Sequence, residues 1–250
     1  MGRREDRFRP AAQSAILSAT LGKAAMARPE AVVFDVYGTL LDVDAAMAGP
    51  AARLGERWAA LSAAWRAKQL EYTWVRSLTG AAYHEDFWLC TRDALDVVLA
   101  QHGMADAALA KGLMEAYRTL PAYPEVPAVL RAIRERGFAT AVLSNGTPGM
   151  LADAFAAAGI AGLLDEVLSV EEVGTFKPDP RVYRLATRHF GCPPDRIVFV
   201  SAQAWDAQAA HAFHMRAVRV NRAGAPDEYG LAAAGVPEIA DLSGLQDLLA

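Results

Sequence analysis

The chain has little that would tie it to an oxidising compartment, a membrane or nucleic acid. Only two of its 250 residues are cysteine, Cys90 and Cys192, too few for a disulfide framework and suited to a reducing cytoplasm. No apolar run approaches the ~20 residues of a membrane span. A basic excess is also missing: 25 Lys and Arg against 29 Asp and Glu give a net charge of −4, so nucleic acid has no broad cationic face to bind. Glycine and proline, 19 and 13, are too sparse for a collagen-like or low-complexity chain, and no internal repeat is present. Apolar residues are abundant, at 53% with 22% charged. That supports one large globular domain, or a core domain carrying an insertion. The expectation is a cytoplasmic globular protein with no nucleic-acid or membrane partner.

The first 25 residues differ from the rest. Five basic residues (Arg3, Arg4, Arg7, Arg9, Lys23) stand against Glu5 and Asp6, a local charge of +3. Ala11 to Ala25 is small and apolar, and Ala25-Met26-Ala27 has the small-x-small form of a signal cleavage site. Gln13, Ser14, Ser18, Thr20, Gly22 and Lys23 interrupt that run, so residues 1–29 are read as an extension, disordered or partly helical. Met26 is an alternative start.

From Ala31 the chain alternates β-branched runs with amphipathic segments, the pattern of an α/β fold with a mostly parallel, doubly wound, Rossmann-like sheet. Predicted strands are Ala31–Asp35, Phe138–Ser144, Glu166–Val170, Arg196–Ser201 and Arg216–Asn221, with a short one near Ile239. Helices Pro127–Arg136, Pro148–Ala158 and Pro180–Phe190 begin at a proline and stop at Gly137, Gly159 and Gly191. About a hundred residues with helical periodicity separate the first two strands, where a crossover needs only a dozen or more. They are read as an inserted all-helical cap, residues 46–121, with residues 30–45 and 122–250 forming the core. An insertion there overhangs the carboxyl ends of the strands, where doubly wound sheets bind ligands.

Each predicted strand ends in polar chemistry: Asp35-Val36-Tyr37-Gly38-Thr39, Ser144-Asn145-Gly146, Lys177-Pro178 after the third, and Ser201-Ala202-Gln203-Ala204-Trp205-Asp206. Taken singly, Asp35 and Ser144 have plainer readings as turn or cap residues, and Lys177 as a solvated loop charge. Four such groups at consecutive strand ends converge on one crevice. No His/Cys spacing resembles a zinc site. The five histidines are read as surface or cap residues, and Glu171-Glu172 as a solvated loop.

This order of motifs resembles the haloacid dehalogenase superfamily. Most of its members are Mg²⁺-dependent phosphotransferases whose first motif carries a second aspartate and whose last motif is acidic. Here Tyr37 replaces that aspartate and Ser201 stands where an acid is expected, leaving Asp35 and Asp206 as a poor site for a hard cation. The departures, with Trp65–Trp74 (WRAKQLEYTW) and Tyr83–Trp88 (YHEDFW), are similar to the L-2-haloacid dehalogenase branch.

The resemblance implies metal-independent, cofactor-free hydrolysis of an L-2-haloacid to a D-2-hydroxyacid with inversion, with small halogenated carboxylic acids as the substrate class and water as co-substrate. Asp35 would form a covalent ester that water then cleaves. Lys177, Thr39, Ser201 and Asp206 complete the catalytic set, Asp206 polarising water and anchoring Lys177. The substrate carboxylate would meet Ser144 and the N–H groups of Val36 and Tyr37. The halide would meet Arg66, Asn145 and Trp205, and Leu70, Phe87, Tyr183 and Gln203 would line the pocket. The resemblance also implies a homodimer. Gln203 departs from the asparagine usual at its position, and Ala67 from a longer polar residue. The alternatives are a Mg²⁺-dependent small-molecule phosphatase and a catalytically weak relative with a binding role.

Overall fold

The computed structural model of the chain describes residues 27–46 and 54–249. The extension read for residues 1–29 and the beginning of the cap therefore lie largely outside the described residues. Six strands form one parallel sheet: β1 (Ala31–Phe34), β2 (Ala139–Ser144), β3 (Glu166–Ser169), β4 (Ile197–Ser201), β5 (Arg216–Val220) and β6 (Glu238–Ile239), in the order β3-β2-β1-β4-β5-β6. β1 is central and reads AVVF with every residue buried, because a parallel strand covered on both faces has no polar side to show. After β3 the chain crosses back to the other side of β1. The switch point thus lies between β1 and β4, at their carboxyl ends.

Among the described residues seven longer helices accompany the sheet: α1 (Trp58–Thr79), α2 (Phe87–Gln101), α3 (Ala107–Arg118), α4 (Val126–Glu135), α5 (Pro148–Ala158), α6 (Pro180–Phe190) and α7 (Ala204–Ala212). Their limits follow local chemistry. Thr147 caps α5 by accepting the Met150 N–H, and Asp179 caps α6 by accepting the Arg181 N–H. Gly159 and Gly191 end the same helices in the left-handed conformation, at φ 68° and 63°, which costs glycine no Cβ clash.

Helices α1 to α3 all lie between β1 and β2 and make up the cap. The chain's exit from the core and its return are tied together. The Asp42 N–H donates to the Pro121 carbonyl at 2.8 Å, the Tyr123 N–H donates to that of Leu40 at 3.0 Å, and Leu41 and Ala122 form an antiparallel bridge. The paired linkers hold the cap above the carboxyl ends of the strands.

Candidate active site

The sheet brings the strand-end residues together. Asp35 follows β1, and its N–H still donates to the Val200 carbonyl at 2.9 Å, which keeps it level with the end of β4. The backbone then turns sharply, with the N–H groups of Thr39, Leu40 and Leu41 all donating to the Val36 carbonyl. This turn uses the N–H groups of residues 38–41, not those of Val36 and Tyr37. It also folds Thr39 back so that its hydroxyl donates to Asp35 Oδ2 at 2.9 Å and accepts the Ala202 N–H at 2.9 Å. One threonine therefore links the β1 loop, the carboxylate and the β4 loop.

Lys177 is the centre of charge. It is 1% exposed, and Nζ donates to Asp35 Oδ1 at 3.1 Å and to Asp206 Oδ2 at 2.8 Å. Burial works to lower the pKa of its ammonium, but the two carboxylates outweigh burial and hold it above the ordinary lysine value. Asp206 is wholly buried; its other oxygen accepts the Tyr183 hydroxyl at 2.6 Å. Burial pushes the Asp206 carboxyl up, and Lys177 and Tyr183 oppose it. The Tyr183 phenol is pushed well above its usual range, first by burial and then by the nearby Asp206. Tyr183 thus reaches Lys177 only through Asp206.

Asn145 accepts the Lys177 N–H at 3.0 Å through Oδ1, which leaves its NH₂ as a spare donor. Ser144 ends β2, is buried, and accepts the Gly146 N–H at 3.1 Å. Ser201 ends β4 and accepts the Gln203 N–H at 3.1 Å. These two hydroxyls hold their own loops in turns.

The cap supplies the other wall. Phe87 packs against Tyr37 with ring centroids 5.6 Å apart, and Trp74 meets Trp205 edge-on at 5.8 Å. Leu70 is buried on the same face of α1. Arg66 bonds Gln69 through Nη1 at 2.6 Å and lines a cleft of about 530 Å³ with Tyr37, Gln203, Trp58 and Tyr123. The Gln203 amide lies over Gly38, where an added Cβ would come 3.2 Å from Nε2. The Tyr37 hydroxyl and the Trp205 indole N–H are both buried without a protein partner.

A divalent cation does not suit this donor set. Mg²⁺ wants six oxygen ligands in a near-octahedral array. Here the Lys177 ammonium already sits between the two carboxylates, and Tyr37 is turned into a stack with Tyr117. Among the described residues no group of three or more His, Cys, Asp and Glu could hold a metal ion.

Several contributors were not anticipated. Gln69, Thr91 and Tyr117 form a buried polar group behind Arg66; a glutamine on the apolar face of α1 is the signal that could have exposed it. Arg222 donates to the Thr39 carbonyl at 3.2 Å and to Glu125 at 2.5 Å, over the Tyr123 ring, and no local pattern points to it. Glu171, expected to be solvated, lies 3.6 Å from His84 of the cap.

Residues 29–214 match the haloacid dehalogenase-like hydrolase family. The chain belongs to that family. It is 42% identical over 219 residues to (S)-2-haloacid dehalogenase 1 of Pseudomonas sp. (strain CBS-3), covering 87% of this chain and 94% of that protein. A dehalogenase solved as an intermediate complex superposes with a TM-score of 0.84 at 39% identity, covering 89% of this chain and 98% of the other. The L-2-haloacid dehalogenase of Xanthobacter autotrophicus, solved with chloropropionic acid covalently bound, gives 0.77 at 30% identity, over 88% and 98%. Within the haloacid dehalogenase-like hydrolases, the chain therefore groups with the L-2-haloacid dehalogenases.

Proposed function

We propose that the protein hydrolyses L-2-haloacids to D-2-hydroxyacids with inversion at C2, through an ester on Asp35 and without a metal ion. The observation that carries the reading is the Asp35 carboxylate. It stands at the carboxyl end of the central strand with one oxygen on Thr39 and the other on a buried lysine, in a chain 42% identical to an (S)-2-haloacid dehalogenase.

In the first step an Asp35 oxygen forms a bond to C2 as the carbon–halogen bond breaks and its electron pair leaves on the halide. Bringing a carboxylate to an anionic substrate is unfavourable unless positive charge is built in, and Lys177 and Arg66 provide it. Arginine stays charged even in a dry pocket. Arg66, the Asn145 NH₂ and the Trp205 N–H receive the departing halide; Ser144 and the backbone of Val36 and Tyr37 receive the substrate carboxylate. A buried donor without a partner costs about 1–3 kcal/mol, and the free Trp205 N–H supports a site kept ready for an anion. Leu70, Phe87 and Tyr183 exclude water during the displacement.

In the second step water attacks the carbonyl carbon of the ester, and the bond to Asp35 breaks to release the hydroxyacid. Asp206 polarises that water through a lone pair not used by Lys177 or Tyr183. Thr39, Ser201 and Gln203 shape the loop beside it.

We assign residues 30–45 and 122–250 to the core and 46–121 to the cap. A homodimer and a cytoplasmic location are further parts of the reading; the free thiols of Cys90 and Cys192 suit the latter. Among the described residues no helix is long and apolar enough to cross a membrane.

The test is halide release from L-2-chloropropionate and its D enantiomer by EDTA-treated protein, followed by a single turnover in H₂¹⁸O. The expected outcome is release from the L form alone, with label in Asp35. Unlabelled Asp35 despite product formation would contradict the ester route.

A further inference from the structure

Gln69 is a glutamine with 1% exposure, and its amide is bonded at both ends. Nε2 donates to Thr91 Oγ1 at 2.5 Å and to the Tyr117 hydroxyl at 3.3 Å, while Oε1 accepts from Arg66 Nη1 at 2.6 Å. Helix α2 sets the direction of this chain of bonds. The Thr91 hydroxyl gives its single proton to the Phe87 carbonyl one turn back, at 2.6 Å, so towards Gln69 it can only accept. The amide must therefore present its NH₂ to Thr91, and its oxygen is left for the guanidinium. The Trp65 indole donates to the Thr91 carbonyl at 2.8 Å and pins α1 to α2 at the same level. Tyr117 of α3 stacks on Tyr37 at 5.1 Å, beside Asp35. Three cap helices thus converge on one amide, and that amide faces the arginine lining the cleft.

We infer that Gln69 is a positioning residue for Arg66, holding the guanidinium in the one orientation that meets the halide as its charge develops. The inference rests on the halide role given to Arg66 above. A neutral acceptor suits the task. One bond to the Gln69 oxygen orients the fork and leaves further N–H donors free, whereas a carboxylate there would neutralise the charge the halide needs.

The experiment is single-turnover halide release from L-2-chloropropionate and L-2-bromopropionate by the wild type, Gln69→Leu, Gln69→Glu and Thr91→Val. Misplacing a catalytic group by about 1 Å can cost ~10²-fold in rate. The expected result for Gln69→Leu is a fall of about 10- to 100-fold in the rate at saturation, with half-saturation changed by less than about threefold. The loss is larger for chloride than for bromide, because the poorer leaving group depends more on stabilisation. Gln69→Glu loses at least as much despite its matching size. Thr91→Val, which removes the acceptor that orients the amide together with the hydroxyl's bond to the Phe87 carbonyl, shows a smaller loss with the same chloride bias, and it stands in if Gln69→Leu does not fold. Equal losses for the two halides, or wild-type rates in Thr91→Val, overturn the inference. A wild type that releases no halide overturns instead the activity on which it rests.

Discussion

Replacing Lys177 by methionine keeps most of the side-chain volume and removes the charge between Asp35 and Asp206. At an effective dielectric of about 20, Coulomb's law gives an attraction of roughly 6 kcal/mol for the contact at 2.8 Å and roughly 5 kcal/mol for that at 3.1 Å. Desolvation of each ion offsets several kcal/mol of this. What the variant leaves behind decides the outcome: Asp206 is wholly buried, and a buried charge stripped of its partner costs about 3–5 kcal/mol. For a chain of this size that corresponds to a melting temperature lower by roughly 6–20 °C. The cost depends on pH. Burial raises the folded-state pKa of Asp206 and Lys177 opposes the rise, so the variant raises it further. A carboxyl with a raised folded pKa contributes stability that is fully present below its unfolded value of about 3.9 and lost as pH rises through the folded value. The gap between wild type and Lys177→Met therefore widens from pH 4 towards pH 8. Urea unfolding across that range measures it, and adding Asp206→Asn should recover about half of the loss. A variant as stable as the wild type at pH 8, or one whose deficit is independent of pH, would show that the ammonium does not neutralise Asp206.

Three further outcomes follow from the same contacts. Tyr183→Phe removes a 2.6 Å bond to Asp206 and should cost about 1.5–3 kcal/mol in denaturant unfolding at neutral pH. The Tyr183 phenol lies well above its ordinary value, so its contribution is present below pH ~10 and lost only above it; ultraviolet titration to pH 10 should give the same curve for wild type and Tyr183→Phe. Thr39→Val should lower single-turnover halide release by about 10-fold or more by freeing the Asp35 carboxylate, and unchanged turnover would mean that Lys177 alone orients it. Gln203→Asn withdraws the amide from above Gly38 at the cleft; since one methylene is worth about 1–3 kcal/mol of discrimination, kcat/KM for longer-chain L-2-haloacids should rise relative to chloropropionate.

Local pattern determined the elements. A buried parallel strand must be apolar throughout, so AVVF at β1 and IVFVS at β4 are legible as strands without any partner in view. Proline at the first turn and glycine in the left-handed position delimit α5 and α6 for reasons contained in a few residues. The cap is legible because about a hundred helical residues cannot be a simple crossover. The charged centre was legible as well, since Asp35, Lys177 and Asp206 follow strand ends that a doubly wound sheet must gather in one crevice.

Tertiary structure alone decided the partners of those groups. Tyr183 is placed on Asp206 rather than on Lys177 because α6 carries it over β4, where its ring meets Phe199 at 5.7 Å. Nothing near Arg222 in the chain announces its bond to the Thr39 carbonyl, 183 positions away. Gln69 sits in a segment whose helical period was plain, but its role depends on a threonine 22 residues on and a tyrosine 48 residues on. A strand or helix follows from short-range sterics and the period of apolar residues, which neighbours in the chain encode. A hydrogen bond between side chains needs donor and acceptor at roughly 3 Å and a favourable angle, and for residues far apart in the chain only the packed sheet and cap bring them that close.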